Sequence, residues 1–113
     1  MLNSVVLVGH VGKDPQVRYY DSGKVQAVFS LAVDRPVRRG EGGEGVTDWF
    51  SIELWGKQAE LAGSYVRKGS LVGVEGRLAF RQFNDGEGQP YDSPYIHAHG
   101  FRLLGGKGDA HDA

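Results

Sequence analysis

Polar and apolar residues alternate along most of this chain, and the alternation carries the first reading of it. From Lys24 to Asp34, Val25, Ala27, Phe29, Leu31 and Val33 share one face, while Gln26, Ser30 and Asp34 mark the other. That is the period of a half-buried β-strand. The run Asp48–Gly56 repeats the pattern: Phe50, Ile52 and Leu54 form a core stripe opposite Trp49, Ser51, Glu53 and Trp55. Ser70 to Phe83 predicts a long strand with Val72, Val74, Leu78 and Phe80 inward and Glu75, Arg77, Arg81 and Phe83 outward. Tyr95 to Leu104 predicts a last strand of poorer alternation.

Two segments depart from period two. Val5, Val6, Leu7 and Val8 are apolar on both faces, so one face needs a cover besides the chain's own core, and a second subunit is the expected one. Lys57 to Lys68 has helical spacing, with Ala59, Ala62, Tyr65 and Val66 in one stripe. Glu60 in its first turn, Arg67 and Lys68 in its last, and Gly69 just beyond suit the helix dipole and a C-terminal cap. Gln16 to Tyr20 reads as extended chain before a turn at Asp21-Ser22-Gly23, and residues 36–46 read as a glycine-rich loop. Three strands, a short helix and two more strands make the order of an all-β, five-stranded OB-fold barrel with its helix between the third and fourth strands. All-antiparallel closure is expected, and 18 glycines fit its tightly bent strands.

Composition narrows the class. With 113 residues there is room for one domain, expected over 1–105 and followed by a short flexible tail over 106–113. The absence of cysteine excludes disulfides and thiolate metal sites. No apolar run is long enough to span a bilayer, and Met1 leads straight into a strand-like segment without a secretory leader. A cytoplasmic location is therefore expected. The net charge of −1 lacks the basic excess usual in double-helix binders. Cations are instead local: Arg35, Arg38 and Arg39; Lys57; Arg67 and Lys68; Arg77 and Arg81.

The outward face of the Asp48–Gly56 strand is the candidate site. Two indoles beside a serine and a glutamate stand about 20 Å apart on a straight strand. Flat rings on a wet face, with cations around them, suit unpaired bases, because every base offers a face for stacking. The competing arrangement covers both indoles with the helix or a neighbouring subunit. His97 and His99 share a face but lack a third metal ligand at suitable spacing, and no cofactor motif is present. GHVGKD is too short for a phosphate loop, and no nucleophile accompanies Glu53 and Glu75, so no catalytic residue is expected.

Three stretches, VVLVGHVGKDPQVRY, DWFSIELWGKQAELAGSYVRKG and VGVEGRL, resemble the bacterial single-stranded DNA-binding protein family, in particular its short cyanobacterial form. The likeness runs over roughly residues 3–105. It implies an OB-fold, a homotetramer, sequence-independent binding of single-stranded DNA in replication, recombination and repair, and no enzymatic activity. By this resemblance Trp49 and Trp55 match stacking aromatics. Phe83 stands for a more usual tryptophan at the final hairpin, and Lys57, Arg67 and Lys68 match basic positions beside the helix. Val37 replaces a tryptophan found in many members. The chain ends GGKGDAHDA, without the acidic-hydrophobic tip through which the family usually recruits replication and repair proteins. An accessory paralogue that binds DNA weakly and proteins mainly is the alternative, and a nuclease a third.

Overall fold

The alternating segments become ladders of one curved sheet in a computed structural model that describes residues 1–36 and 45–105. In chain order the elements are β1 (Val5–Val11), β2 (Gln16–Tyr19), β3 (Val25–Asp34), β4 (Thr47–Trp55), α1 (Lys57–Tyr65), β5 (Leu71–Asn84) and β6 (Pro90–Gly105). The strands lie in the order β1-β5-β6-β4-β3-β2, and β1 also pairs with β3 through His10↔Ala32 and Val11↔Leu31. That extra ladder closes β1, β5, β6, β4 and β3 into a five-membered ring. Strand β2, the segment read as merely extended, hangs on the outer edge of β3 as a sixth strand.

Closure is not wholly antiparallel. Strands β4 and β6 meet in parallel, Ile52 opposite Ile96 and Glu53 opposite His97. The helix between β4 and β5 reverses the chain, so β5 and β6 return as a hairpin with β6 beside β4. The barrel is filled as the alternation predicts. Val25, Ala27, Phe29 and Leu31 of β3, Ile52 and Leu54 of β4, Val72 and Val74 of β5, and Ile96 and Ala98 of β6 are buried together. Ala59, Ala62 and Val66 add the helix's contribution to the same core.

Three expectations need correction. First, α1 stops at Tyr65, three residues short, because Val66 already has extended geometry (φ −85°, ψ 134°). Tyr65 points to solvent rather than joining the apolar stripe, and Gly69 (φ 88°) serves the following turn, not a helix cap. Arg67 nonetheless satisfies the helix end, donating from Nη1 to the carbonyl oxygens of Gly63 and Val66 at 2.8 and 2.7 Å. Second, β6 begins at Pro90, not Tyr95, so the β5–β6 hairpin is longer than the alternation suggested. Third, Leu78 and Phe80 are exposed. They have the parity of Val72 and Val74, but they lie where β5 leaves the barrel, Leu78 at its edge opposite the core residue Ile96 and Phe80 beyond it opposite Pro94.

The double-sided apolar run also resolves into two environments. Val5 and Leu7 lean on the core and are half-buried. Val6 and Val8 face outward and remain 67% and 49% exposed.

Candidate nucleic-acid interface

Register places the outward residues of five strands on one continuous surface. Across β3 and β4, Gln26 stands opposite Trp55, Val28 opposite Glu53, Ser30 opposite Ser51 and Ala32 opposite Trp49. On the β2 side Arg18 stands opposite Gln26. On the other side Glu53 adjoins His97 of β6, which is itself opposite Arg77 of β5. Farther along the hairpin, Ala79 faces Tyr95, Arg81 faces Ser93 and Phe83 faces Tyr91. Opposed residues point to the same side of a sheet, so indoles, phenols, a phenyl ring and cations share this one face.

At one end, Trp49 is 61% exposed. Its six-membered ring rests over the backbone of Gly12, where a β-carbon would stand 2.7 Å from ring atom Cζ3. Glycine at that position leaves room for the indole just beyond the end of β1. At the far end, Phe83 is 45% exposed and its ring centroid is 5.9 Å from that of Tyr91. At the end of β4, six residues beyond Trp49, Trp55 is half-buried, stacked on Tyr20 with centroids 5.7 Å apart and planes 28° from parallel. One face of Trp55 is therefore already taken by Tyr20.

Glu53 is the main departure from expectation. Its parity is outward, as predicted, but the residue is only 4% exposed and does not sit in water. Neighbours from other strands close over it. Trp55 Nε1–H donates to its Oε1 at 2.8 Å, and Gln26 Nε2 donates to its Oε2 at 2.8 Å. Arg81 Nη2 donates to the same Oε2, and His97 Nδ1 stands 3.4 Å from Oε1. The Tyr20 hydroxyl donates in turn to Gln26 Oε1 at 3.0 Å. Burial pushes the Glu53 carboxyl pKa up, but the hydrogen bonds from Trp55, Arg81 and Gln26 and the Arg81 charge outweigh it, and the net shift is downward. Glu53 is thus a carboxylate at neutral pH. Its hydrogen bond also raises the pKa of Arg81, whose guanidinium lies 4.3 Å above the Tyr95 ring centroid.

The cations separate into two groups. Arg35 is held by Asp48 in a two-pronged ion pair, Nε to Oδ2 at 2.9 Å and Nη2 to Oδ1 at 3.0 Å, which lowers the Asp48 pKa through hydrogen bonding. Arg67 is turned back onto the helix end and Arg81 is tied to Glu53. Lys57, Lys68 and Arg77 have exposed side chains, and the backbone N–H of Lys68 is anchored by Asp14 Oδ1 at 2.7 Å. Arg38 and Arg39 lie outside the described residues, as does the tail from 106 to 113. Among the described residues no cluster of three His, Asp or Glu side chains could hold a metal ion. None of the described helices is long and apolar enough to cross a membrane.

Several members of this face escaped the sequence reading: Arg18, Tyr20, Gln26, Tyr91, Tyr95 and His97. Tyr91, Tyr95 and His97 have a common parity that could have flagged them. Pro90 and Pro94 between them disguised the strand.

The profile of the single-strand binding protein family matches residues 2–104. A Synechocystis protein named single-stranded DNA-binding protein 1 is 45% identical over 113 residues, covering 99% of this chain and 91% of that one. A Nostoc protein of the same name is 45% identical over 96% of this chain and 87% of its own. The single-stranded DNA-binding protein of Halalkalibacterium halodurans is 45% identical over 79% of this chain and 52% of its own length.

Proposed function

The chain belongs to the single-strand binding protein family, and on that premise we propose that it binds single-stranded DNA without regard to sequence and performs no chemistry on it. The observation that carries this reading is the shared outward face of β4, β5 and β6, on which several aromatic side chains stand with Trp49 and Phe83 exposed. Bases stack on Trp49, on the free side of Trp55 and on the Phe83–Tyr91 pair, each contact contributing about 1–3 kcal/mol. Phosphates follow the rim, where Lys57, Lys68 and Arg77 neutralise them. Each such contact steepens the salt dependence by roughly 0.7 in log–log slope. Arg35 and Arg81 contribute less charge, because each is already paired with a carboxylate, and Arg67 keeps its charge but has one guanidinium nitrogen turned to the helix end. Such binding serves the protection of exposed strands in cytoplasmic DNA replication, recombination and repair.

Titration with poly-dT tests this directly. Tryptophan emission is expected to fall strongly as bases stack on the indoles, and the strand is expected to survive incubation with magnesium or calcium. Weak quenching would favour the accessory scaffold instead, and degradation of the strand would favour a nuclease.

Self-association into a homotetramer belongs to the same proposal. Val6 and Val8 form an apolar stripe on the outer surface of β1 that the chain itself leaves open. The stripe continues onto Leu104, whose side chain borders Gly73 and Val8. A second copy laid on this face, with Val5 and Leu7 supporting it from the core side, would remove the stripe from water. Val6→Lys should then shift the protein to smaller species in sedimentation velocity at low micromolar concentration. An unchanged tetramer, or a wild-type monomer, would refute this interface.

A further inference from the structure

Glu53 is a carboxylate buried beneath a face read here as binding polyanions, a location that calls for an explanation. An ionised carboxylate has about four lone-pair directions. At Glu53 all four meet a neighbour: Trp55 and His97 at Oε1, Gln26 and Arg81 at Oε2. Its side chain is 5% exposed, so neither base nor phosphate reaches it. Stability alone is a weak reason to keep it, because a buried ion pair often contributes no more than well-packed apolar residues would. What it does uniquely is close a circuit. Trp55 stacks on Tyr20, Tyr20 donates to Gln26, Gln26 donates to Glu53, and Glu53 accepts from the indole N–H of Trp55.

We infer that Glu53 is a positioning residue of the stacking face, fixing the plane of the Trp55 indole through its N–H so that the free side of the ring faces solvent in one orientation. The role rests on the reading that this face takes up single strands. An aromatic ring stacked on one side only, with no bond at its edge, turns about its side-chain torsions at little cost. The Glu53 bond removes that freedom before any base arrives, so less ordering entropy is lost on binding. The same carboxylate holds Arg81 over Tyr95, which keeps the guanidinium from folding across the indole. Because its side chain is 5% exposed and its oxygens already accept from Trp55, Gln26 and Arg81, Glu53 offers nothing for a particular base to read, in keeping with sequence-independent binding.

Glu53→Gln tests the role. The variant has nearly the same shape, but whichever way its amide turns, an NH2 group faces a donor, either Trp55 N–H or the Gln26–Arg81 pair. Anisotropy with a labelled oligo-dT at fixed salt should show affinity reduced about tenfold, the scale of a lost hydrogen bond to a charged group. In a Trp55→Ala background the same change should cost about twofold or less, since there is no indole left to orient. Equal losses in both backgrounds, or wild-type affinity for Glu53→Gln, would overturn the inference. Should the variant not fold, the wild-type protein supplies the second readout. The Trp55 indole N–H should exchange with solvent more slowly than that of Trp49 in proton–nitrogen spectra, and equal rates would also overturn it. Failure of the wild-type protein to bind oligo-dT at all would remove the DNA role, while the exchange rates would still report whether Glu53 holds the ring.

Discussion

A Trp49→Ala, Trp55→Ala double variant is expected to lose between about 30-fold and about 20,000-fold in affinity for a short oligo-dT that spans one protomer. The range follows from two stacking platforms at about 1–3 kcal/mol each, converted at about 1.4 kcal/mol per tenfold. The rings stand six residues apart on β4, about 20 Å along a straight strand, and share no partner, so their losses should add. Trp49 is 61% exposed over Gly12, and its removal costs little packing. Trp55 is stacked on Tyr20, but Gln26 and Arg81 still satisfy Glu53 after its removal, so the fold should survive. The salt slope separates stacking from charge. No cation is removed, so the log–log slope of the double variant should match that of the wild type, with the whole line shifted to weaker binding. Affinity within threefold of wild type would mean that the indoles are not the platform. A flattened slope would mean that the variant binds in another register.

What the chain's pattern foretold, and what it did not, divides along a physical line. Alternation reports parity, and parity was right nearly everywhere. Val25 through Leu31 went inward, and Trp49 and Ser51 went outward. Parity does not say whether anything lies beneath or above a residue. Leu78 and Phe80 have core parity without burial, because β5 leaves the barrel there for the hairpin. Glu53 has solvent parity without solvent, because Arg81, 28 residues later, folds over it. Both outcomes depend on where distant strands arrive, which a local period cannot contain. The end of α1 shows the same limit on a smaller scale. Arg67 looked like a last-turn residue favoured by the dipole. It supplies the helix end from outside, by bonding the carbonyl oxygens of Gly63 and Val66.

The site was legible to the extent that it is built of large rings on one strand. The three-residue register linking Gln26, Trp55 and Glu53 to Tyr20 was not, since it needs the β2–β3 and β3–β4 ladders first. The parallel β4–β6 contact was likewise invisible, yet it brings His97 beside Glu53 and carries Tyr95 and Tyr91 onto the same surface. Half of the aromatic face therefore depends on where β6 sits, held by β4 on one side and by its contact with β5 on the other.

That contact has a narrow tolerance, and Gly76→Ala should show it. Gly76 lies at the irregularity between Glu75 and Gly76 where β5 shifts register against β6. A β-carbon there would stand 2.2 Å from the carbonyl oxygen of His97 and 2.6 Å from the α-carbon of Ala98. Both obstacles are backbone, so no rotamer change relieves them. One strand has to move, and Ile96 and Ala98 of β6 are core residues whose displacement opens the barrel. Overpacking of this kind costs about 1–3 kcal/mol and sometimes more, and the upper end is expected where only main chain can yield. A loss of about 3 kcal/mol should lower Tm by about 10–20 °C for a domain of this size. Gly86→Ala is the matched control. A β-carbon at Gly86 meets nothing within 4 Å, so its effect should stay within about 0.5 kcal/mol. Urea melts of the three proteins at one protomer concentration should show the midpoint displaced for Gly76→Ala with an unchanged slope. If instead Gly76→Ala melts with the control, β5 and β6 are not pressed together at this point. The alignment of Tyr91, Tyr95 and His97 with the β4 indoles would then be loose, and the proposed stacking face would have lost its rigid support.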